Sequence, residues 1–169
     1  MFRKVKILIT DVDGVLTDGK IIYDKNDNEL KFFNVKDGFG LHLLHKAGIK
    51  TAIITGRESP IVVRRAQELQ FTRIYQNVRN KAKIFYSLID DLGLSPEETC
   101  YVGDDIPDLP VIKLAGVGVA VADAVDEIRE IADYTCKAKG GQGAIREVAE
   151  QILKDQRIWD SLINEIKYQ

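Results

Sequence analysis

The sequence predicts an α/β fold, a Rossmann-like doubly wound parallel sheet with helices on both faces. Three observations carry that expectation. Short apolar runs alternate with single amphipathic segments along the chain. The interiors of the runs, such as Ala52-Ile53-Ile54, are apolar throughout, as in strands covered on both faces. Unusual polar residues recur just after successive runs, the places that line the carboxyl edge of an open parallel sheet.

The first strand is expected over 5–10 and ends in Asp11-Val12-Asp13-Gly14-Val15-Leu16-Thr17. Two carboxylates two residues apart beside a buried strand are poor sequence for folding, because Asp is disfavoured in strands and like charges repel. A divalent cation with a phosphate group is the economical reason for keeping them. Next come Ile21-Ile22-Tyr23, the turn-like Asp24-Lys25-Asn26-Asp27-Asn28, and Leu30-Lys31-Phe32-Phe33-Asn34-Val35, which predict a small β-hairpin insertion within 18–35. Such a hairpin is marginal alone, so it packs either on its own domain or on another subunit.

Helical spacing then covers 39–47, a strand 51–55, a helix 61–69, a strand 73–75 and a helix 82–92. In the last of these, Ile84, Phe85, Leu88, Ile89 and Leu92 share one stripe. A strand at 100–102, a helix at 109–115 and a strand at 117–121 continue the rhythm, and strand–helix–strand units imply right-handed crossovers. Gly140-Gly141-Gln142-Gly143 opens an amphipathic helix carrying Ile145, Val148, Ala149 and Ile152, expected to run over 143–167 with Trp159 as a packing residue.

At 169 residues and 45% hydrophobic content the chain suits one domain, 1–169, with a substantial core. Lys+Arg 24 against Asp+Glu 26 leaves no basic footprint for nucleic acid. No apolar run approaches the roughly 20 residues of a membrane span, and Met-Phe-Arg-Lys followed by a strand is no signal peptide. Cys100 and Cys136 are expected as reduced thiols of a cytoplasmic protein, without His or Cys neighbours at metal-ligand spacing.

The polar residues that follow the strands come from four separate units: Asp11 and Asp13, Thr55-Gly56-Arg57, Lys81, and Gly103-Asp104-Asp105 with Asp108. Asp11 and Asp104 are hard oxygen ligands suited to Mg²⁺. Lys81 offers a fixed positive charge and Thr55 a hydroxyl beside a tight Gly turn, a set suited to a phosphoryl group. One carboxylate can then attack phosphorus and form an aspartyl-phosphate. The other is placed to protonate the leaving alkoxide and later to activate water. Singly, each element has a plain alternative: a turn at Thr55-Gly56-Arg57, a solvated Lys81, helix caps at Asp105 and Asp108. The ordered set is what argues for chemistry.

With these motifs in order, the sequence resembles the haloacid dehalogenase superfamily of phosphotransferases. The DxDGxxT motif matches Asp11 to Thr17, the second-motif Thr matches Thr55, the third-motif Lys matches Lys81, and GDxxxD matches Gly103 to Asp108. The resemblance implies that Asp11 is the nucleophile and Asp13 the general acid/base. It also implies that Asp11, the Asp13 backbone carbonyl and Asp104 hold Mg²⁺, and that Thr55, Gly56 and Lys81 bind phosphate. Asp105 and Asp108 are assigned to supporting the metal and the lysine.

About 25 residues separate the first motif from the first helix, enough for a hairpin but not for the cap domain that most members carry. Over its full length, through VKDGFG, NKAKIF, YVGDDIPDLPV, GVAVADA and GGQGAIREV, the chain is similar to the capless branch acting on 3-deoxy-D-manno-octulosonate 8-phosphate. That implies a sugar-acid phosphatase of lipopolysaccharide precursor biosynthesis, working as a homotetramer assembled through the hairpins. The neighbouring alternative is a nine-carbon sugar-acid 9-phosphate phosphatase.

A non-catalytic regulator on the same fold and a receiver-type signalling domain are rivals of another class; intact Asp11 and Asp13 speak against the first, and Asp13, two residues after the nucleophile, against the second. Lys36, Asp37 and Gly38 lie where the hairpin returns and are candidates for sugar contact, a plain turn being the other reading. Arg57 is a candidate for the substrate carboxylate, whereas Arg64 and Arg65 read as solvated. The Gly140–Gly143 turn can bind an anion at a helix start or simply open the helix. His42 and His45 read as packing or surface histidines.

Overall fold

The computed structural model describes residues 1–168. A 3₁₀ turn at Phe2–Lys4 precedes β1, Ile7–Thr10, whose four residues are all buried. The hairpin follows as β2, Ile22–Tyr23, and β3, Glu29–Leu30, antiparallel with Ile22 opposite Leu30. Then come α1, Val35–Lys46; β4, Lys50–Ile54; α2, Pro60–Glu68; β5, Arg73–Tyr75; and α3, Lys81–Asp91. The chain continues through β6, Thr99–Gly103; α4, Leu109–Leu114; β7, Val117–Ala120; α5, Asp126–Ile131; β8, Tyr134–Thr135; α6, Ala144–Asp155; and α7, Trp159–Lys167.

Six strands form one parallel sheet in the order β5-β4-β1-β6-β7-β8. Counting sheet strands alone, this is the doubly wound order 3-2-1-4-5-6, with β1 central and the strand order reversing beside it. Leu8, between Thr51 of β4 and Cys100 of β6, shows the register. The expected fold class is the observed one: the interiors of β1, β4, β6 and β7 are fully buried, and helices cover the sheet. On one side α1 packs against α6, and on the other α3, α4 and α5 pack in succession. Gly40 permits the α1–α6 approach, since a Cβ there would lie 3.0 Å from the Arg146 Cα. No described helix is long and apolar enough to cross a membrane. Cys100 and Cys136 are buried free thiols, and burial, with Glu147 and Asp37 nearby, pushes Cys136 up to about 12.

The structure departs from the sequence reading in four places. The hairpin pairs only two residues per strand; its turn is held instead by Asp24 Oδ1, which accepts from the N–H of Asn26 (2.7 Å) and Asn28 (2.9 Å). Helix α1 starts four residues earlier than the spacing suggested, because Asn34 caps it by accepting from Lys36 N–H at 2.9 Å despite glycines at 38 and 40. Helix α5 and strand β8, six and two residues long, were too short to leave a periodic signal.

The expected helix over 143–167 is two helices. After α6, Arg157 takes φ 61°, with Arg157 N–H on Lys154 O (3.0 Å) and Ile158 N–H on Leu153 O (2.9 Å). That is a Schellman ending built without glycine, so no residue type announces it. The break lets Gln156 Nε2 donate to the Val5 (2.8 Å) and Phe2 (3.2 Å) carbonyls, tying the helix end to the chain start.

Candidate active site

Asp11 to Thr17 fold back on themselves directly after β1. The Val12 carbonyl accepts from the N–H of Val15, Leu16 and Thr17, and Thr17 Oγ1 accepts from the N–H of Gly14 (3.4 Å) and Gly19 (3.2 Å). The tight coil demands φ 88° at Gly14, where a Cβ would also lie 1.9 Å from Asp104 Oδ2. The carboxylates of the first and fourth strand ends therefore approach one another across a glycine.

A cleft of ≈ 540 Å³ opens at this sheet edge, lined by Asp11, Asp13, Thr55, Gly56, Arg57, Lys81, Asp104, Asp105 and Asp108, with Gly19, Val78, Arg79 and Pro107. Oxygens of Asp11, Asp104 and Asp108 lie within 4.8 Å of one another. Lys81 Nζ, on a side chain only 4% exposed, contacts Asp11 Oδ2 at 2.9 Å and Asp108 Oδ1 at 2.6 Å. Burial works against the charged ammonium, yet Asp11 and Asp108 outweigh it and hold Lys81 above its ordinary range. Burial likewise pushes Asp11 up to about 6, against the pull of Lys81. Asp104 is driven further, to about 8, by burial and then by the charges of Asp11, Asp108 and Asp105.

These residues fit Mg²⁺. Three clustered carboxyls face a single ammonium; with all three ionised they leave an excess of two negative charges, which one divalent cation balances. Asp104 Oδ1 is buried without a hydrogen-bond partner, and the Asp13 carbonyl accepts no hydrogen bond among the described residues. Each oxygen of Asp108 is met by two donors, against one on each oxygen of Asp11. Asp108 Oδ1 accepts from Lys81 Nζ and from Tyr101 OH (2.6 Å), while its Oδ2 accepts from the N–H of Asp104 (3.0 Å) and Asp105 (3.4 Å). It is placed to hold the lysine and the Asp104 backbone. Asp105 caps the 3₁₀ turn Ile106–Asp108 by accepting from Ile106 N–H at 2.8 Å.

Asp13 is met by two cations. Lys31 Nζ, from the residue just after β3, forms a close ion pair with Asp13 Oδ1, and Arg57 Nε lies 3.6 Å from Oδ2. Glu29 joins the same network through Arg57 Nη2 (3.0 Å), Lys31 Nζ (3.3 Å) and the Ser59 hydroxyl, which donates at 2.5 Å. Thr55 and Gly56 lie at the cleft wall, with the Val78 N–H donating to Thr55 O at 3.1 Å.

Lys36, Asp37 and Gly38 are not brought to the cleft of this chain. Lys36 is exposed at the start of α1, and a Cβ at Gly38 would meet the Arg65 guanidinium at 2.9 Å. Asp37 is buried against the start of α6, accepting from Arg146 N–H at 2.8 Å. Burial raises its carboxyl although N–H groups of that helix start stabilise its charge. The glycine turn it supports packs on the Asp11–Thr17 loop: Gly141 N–H donates to Val15 O at 2.9 Å, and a Cβ at Gly140 would lie 1.8 Å from Gly14 O. Close helix-start packing, rather than an exposed anion site, accounts for those glycines.

Sequence reasoning missed Lys31, Glu29, Tyr101 and Arg79. The alternation of Glu29 and Lys31 with Leu30 and Phe32 was the one available hint for the hairpin pair. Tyr101, in the middle of an apolar strand, left none.

Comparison with known proteins bears directly on this geometry. Residues 63–148 match the haloacid dehalogenase-like hydrolase family. The chain is 45% identical over 154 residues to the Escherichia coli (strain K12) 3-deoxy-D-manno-octulosonate 8-phosphate phosphatase KdsC, covering 91% of this chain and 82% of that protein. The Moraxella catarrhalis 3-deoxy-D-manno-octulosonate 8-phosphate phosphatase, solved with magnesium ion, phosphate ion and KDO, superposes with a TM-score of 0.95 at 42% identity, covering 97% of this chain and 94% of that one. The cobalt-bound Haemophilus influenzae phosphatase superposes with a TM-score of 0.89 at 39% identity, covering 92% and 91%. A match over 91% of the chain in sequence and 97% in backbone makes this chain a member of the haloacid dehalogenase-like hydrolases.

Proposed function

We propose that this chain is a Mg²⁺-dependent phosphatase that hydrolyses 3-deoxy-D-manno-octulosonate 8-phosphate to the free sugar acid and phosphate, through an aspartyl-phosphate at Asp11. One observation carries the reading. Asp11 lines the cleft and meets both Lys81 and the acidic cluster while only half-buried, whereas Asp108 is fully buried with four donors on its oxygens. The full-length relatives that act on this sugar acid support the substrate.

The chain's residues divide the work. Asp11 attacks phosphorus, the P–O bond to the sugar breaks, and Asp13 delivers a proton to the departing alkoxide. In the second half Asp13 takes a proton from water, which attacks the aspartyl-phosphate and frees Asp11. Lys81 and Thr55 hold the phosphoryl oxygens in line, and Asp108 keeps Lys81 charged and aimed. Mg²⁺, held by Asp11, Asp104 and the Asp13 carbonyl, supplies charge stabilisation to the phosphoryl oxygens when bound.

Phosphate release over a panel of sugar phosphates, with Mg²⁺ and with EDTA, tests the reading. The eight-carbon acid is expected to dominate and EDTA to abolish turnover. A flat profile, preference for nine-carbon 9-phosphates, or full activity of D11N would refute it.

The assembly belongs to the same proposal. Ile21, Tyr23, Leu30, Phe32, Val35 and Phe39 form an exposed apolar surface on and beside the hairpin, with Phe32 69% and Val35 78% accessible. We assign it to contacts between subunits of a homotetramer in the cytoplasm. Light scattering of wild type and F32E would show a tetramer dissociating; a monomeric wild type refutes the assignment.

A further inference from the structure

The cleft lining includes three cations, Arg57, Arg79 and Lys81. Two are consumed inside the protein: Lys81 by Asp11 and Asp108, Arg57 by Asp13 and Glu29. Arg79 alone has no hydrogen bond or ion pair among the described residues, and it is exposed. Its backbone is nevertheless fixed. Asn77 N–H donates to Arg57 O (3.3 Å), Val78 N–H to Thr55 O (3.1 Å), and Asn80 caps α3 by accepting from Lys83 N–H (3.0 Å). A free guanidinium is thus anchored at the rim of a cleft otherwise dominated by carboxylates.

We propose that Arg79 is a specificity-determining residue that pairs with the carboxylate of the sugar-acid substrate. The inference rests on the sugar-acid reading above and deepens it. A sugar-acid phosphate brings anionic charge at both ends, and the phosphate end is served by Lys81 at the floor. The carboxylate end needs a cation that gives up no internal partner. Arg57 would have to leave Glu29 and Asp13 to serve, uncovering two partly buried acids, whereas Arg79 gives up only water. A guanidinium also presents two parallel donors that match a carboxylate.

The test compares wild type, R79Q, R79K and R57Q on 3-deoxy-D-manno-octulosonate 8-phosphate and on p-nitrophenyl phosphate, which lacks a carboxylate, with orthophosphate as competitive inhibitor. R79Q is expected to raise KM for the sugar-acid phosphate about tenfold, as for loss of one charge-assisted hydrogen-bonded contact. Its kcat should stay within about twofold, p-nitrophenyl phosphate turnover and orthophosphate inhibition should stay unchanged, and R79K should recover part of the loss. An unchanged KM in R79Q overturns the proposal. So does an equal loss on p-nitrophenyl phosphate and orthophosphate, which would move Arg79 to the phosphate end. A carboxylate-selective loss in R57Q and not in R79Q gives the role to Arg57. Wild type that turns over p-nitrophenyl phosphate but not the sugar-acid phosphate would defeat the proposed function itself, and this inference with it.

Discussion

The ammonium of Lys31 lies against Oδ1 of Asp13, on a side chain only 1% exposed. The residue directly after β3 thereby reaches the carboxylate assigned to proton transfer, and Glu29 two residues earlier ties the strand itself to Arg57 and Ser59. The hairpin is thus tied to two residues that line the cleft, Asp13 and Arg57. Sealing this ion pair from water has a desolvation cost, which the direct contact and the Glu29 contact offset.

Replacing Lys31 by Met leaves Asp13 with only the more distant Arg57. Turnover of sugar phosphates should fall about 10- to 100-fold, because a loosened proton donor loses its alignment. p-Nitrophenyl phosphate, whose leaving group needs less protonation, should suffer less. Steady-state kinetics on both substrates decide the matter, and equal losses would count against a role through Asp13.

Asp108 accepts from four donors, so D108A leaves Lys81 buried with one carboxylate and the Tyr101 hydroxyl without an acceptor for its proton. Breaking a buried pair in this way costs about 3–5 kcal/mol. Urea unfolding should show that loss together with a collapse of kcat. Y101F, which removes one donor and leaves the ion pair, should cost only about 1 kcal/mol.

Gly14→Ala combines a left-handed backbone with a Cβ 1.9 Å from Asp104 Oδ2. Asp104 must turn away, and Mg²⁺ activation should require at least about tenfold more metal. Activity titrated against Mg²⁺ measures it; an unshifted titration would remove Asp104 from the metal site.

Glu147 provides a pH-dependent contribution far from the cleft. Burial raises its carboxyl, but the Tyr134 hydroxyl (2.7 Å) and the N–H groups of Lys137 (3.0 Å) and Ala138 (2.9 Å) outweigh burial and hold it below its ordinary 4.5. A depressed carboxylate adds stability above its unfolded value and loses it as pH falls through the folded one. The stability gap between wild type and E147Q should therefore be about 1–2 kcal/mol at neutral pH and shrink below about pH 4.5. Unfolding curves at pH 7 and pH 4 would reveal a constant gap if the reasoning is wrong.

Much of this molecule was legible because its signals are local. Asp11, Thr55 and Asp104 each sit just past an apolar strand, Lys81 opens the helix after β5, and the parallel order brings those ends together without long loops. The helix break at Arg157 was not legible, since a non-glycine residue took the left-handed position to let Gln156 reach Phe2 and Val5. Asp37 looked like a cleft residue from its place after the hairpin. Packing of α1 on α6 gives it a partner at Arg146 instead, 109 positions away.

By itself, the sequence determined the alternation of strands and helices and the shared edge on which the acidic, hydroxyl and lysine groups fall. Apolar periodicity and the turn after each strand act within a few residues, so they can be read in line. Only the tertiary structure decided which charges meet. Asp108 holds Lys81, Lys31 covers Asp13, Arg57 is taken up by Glu29, and Arg79 is left open. Coulomb attraction and desolvation depend on distance and burial between groups far apart along the chain, and those quantities exist only once it has folded.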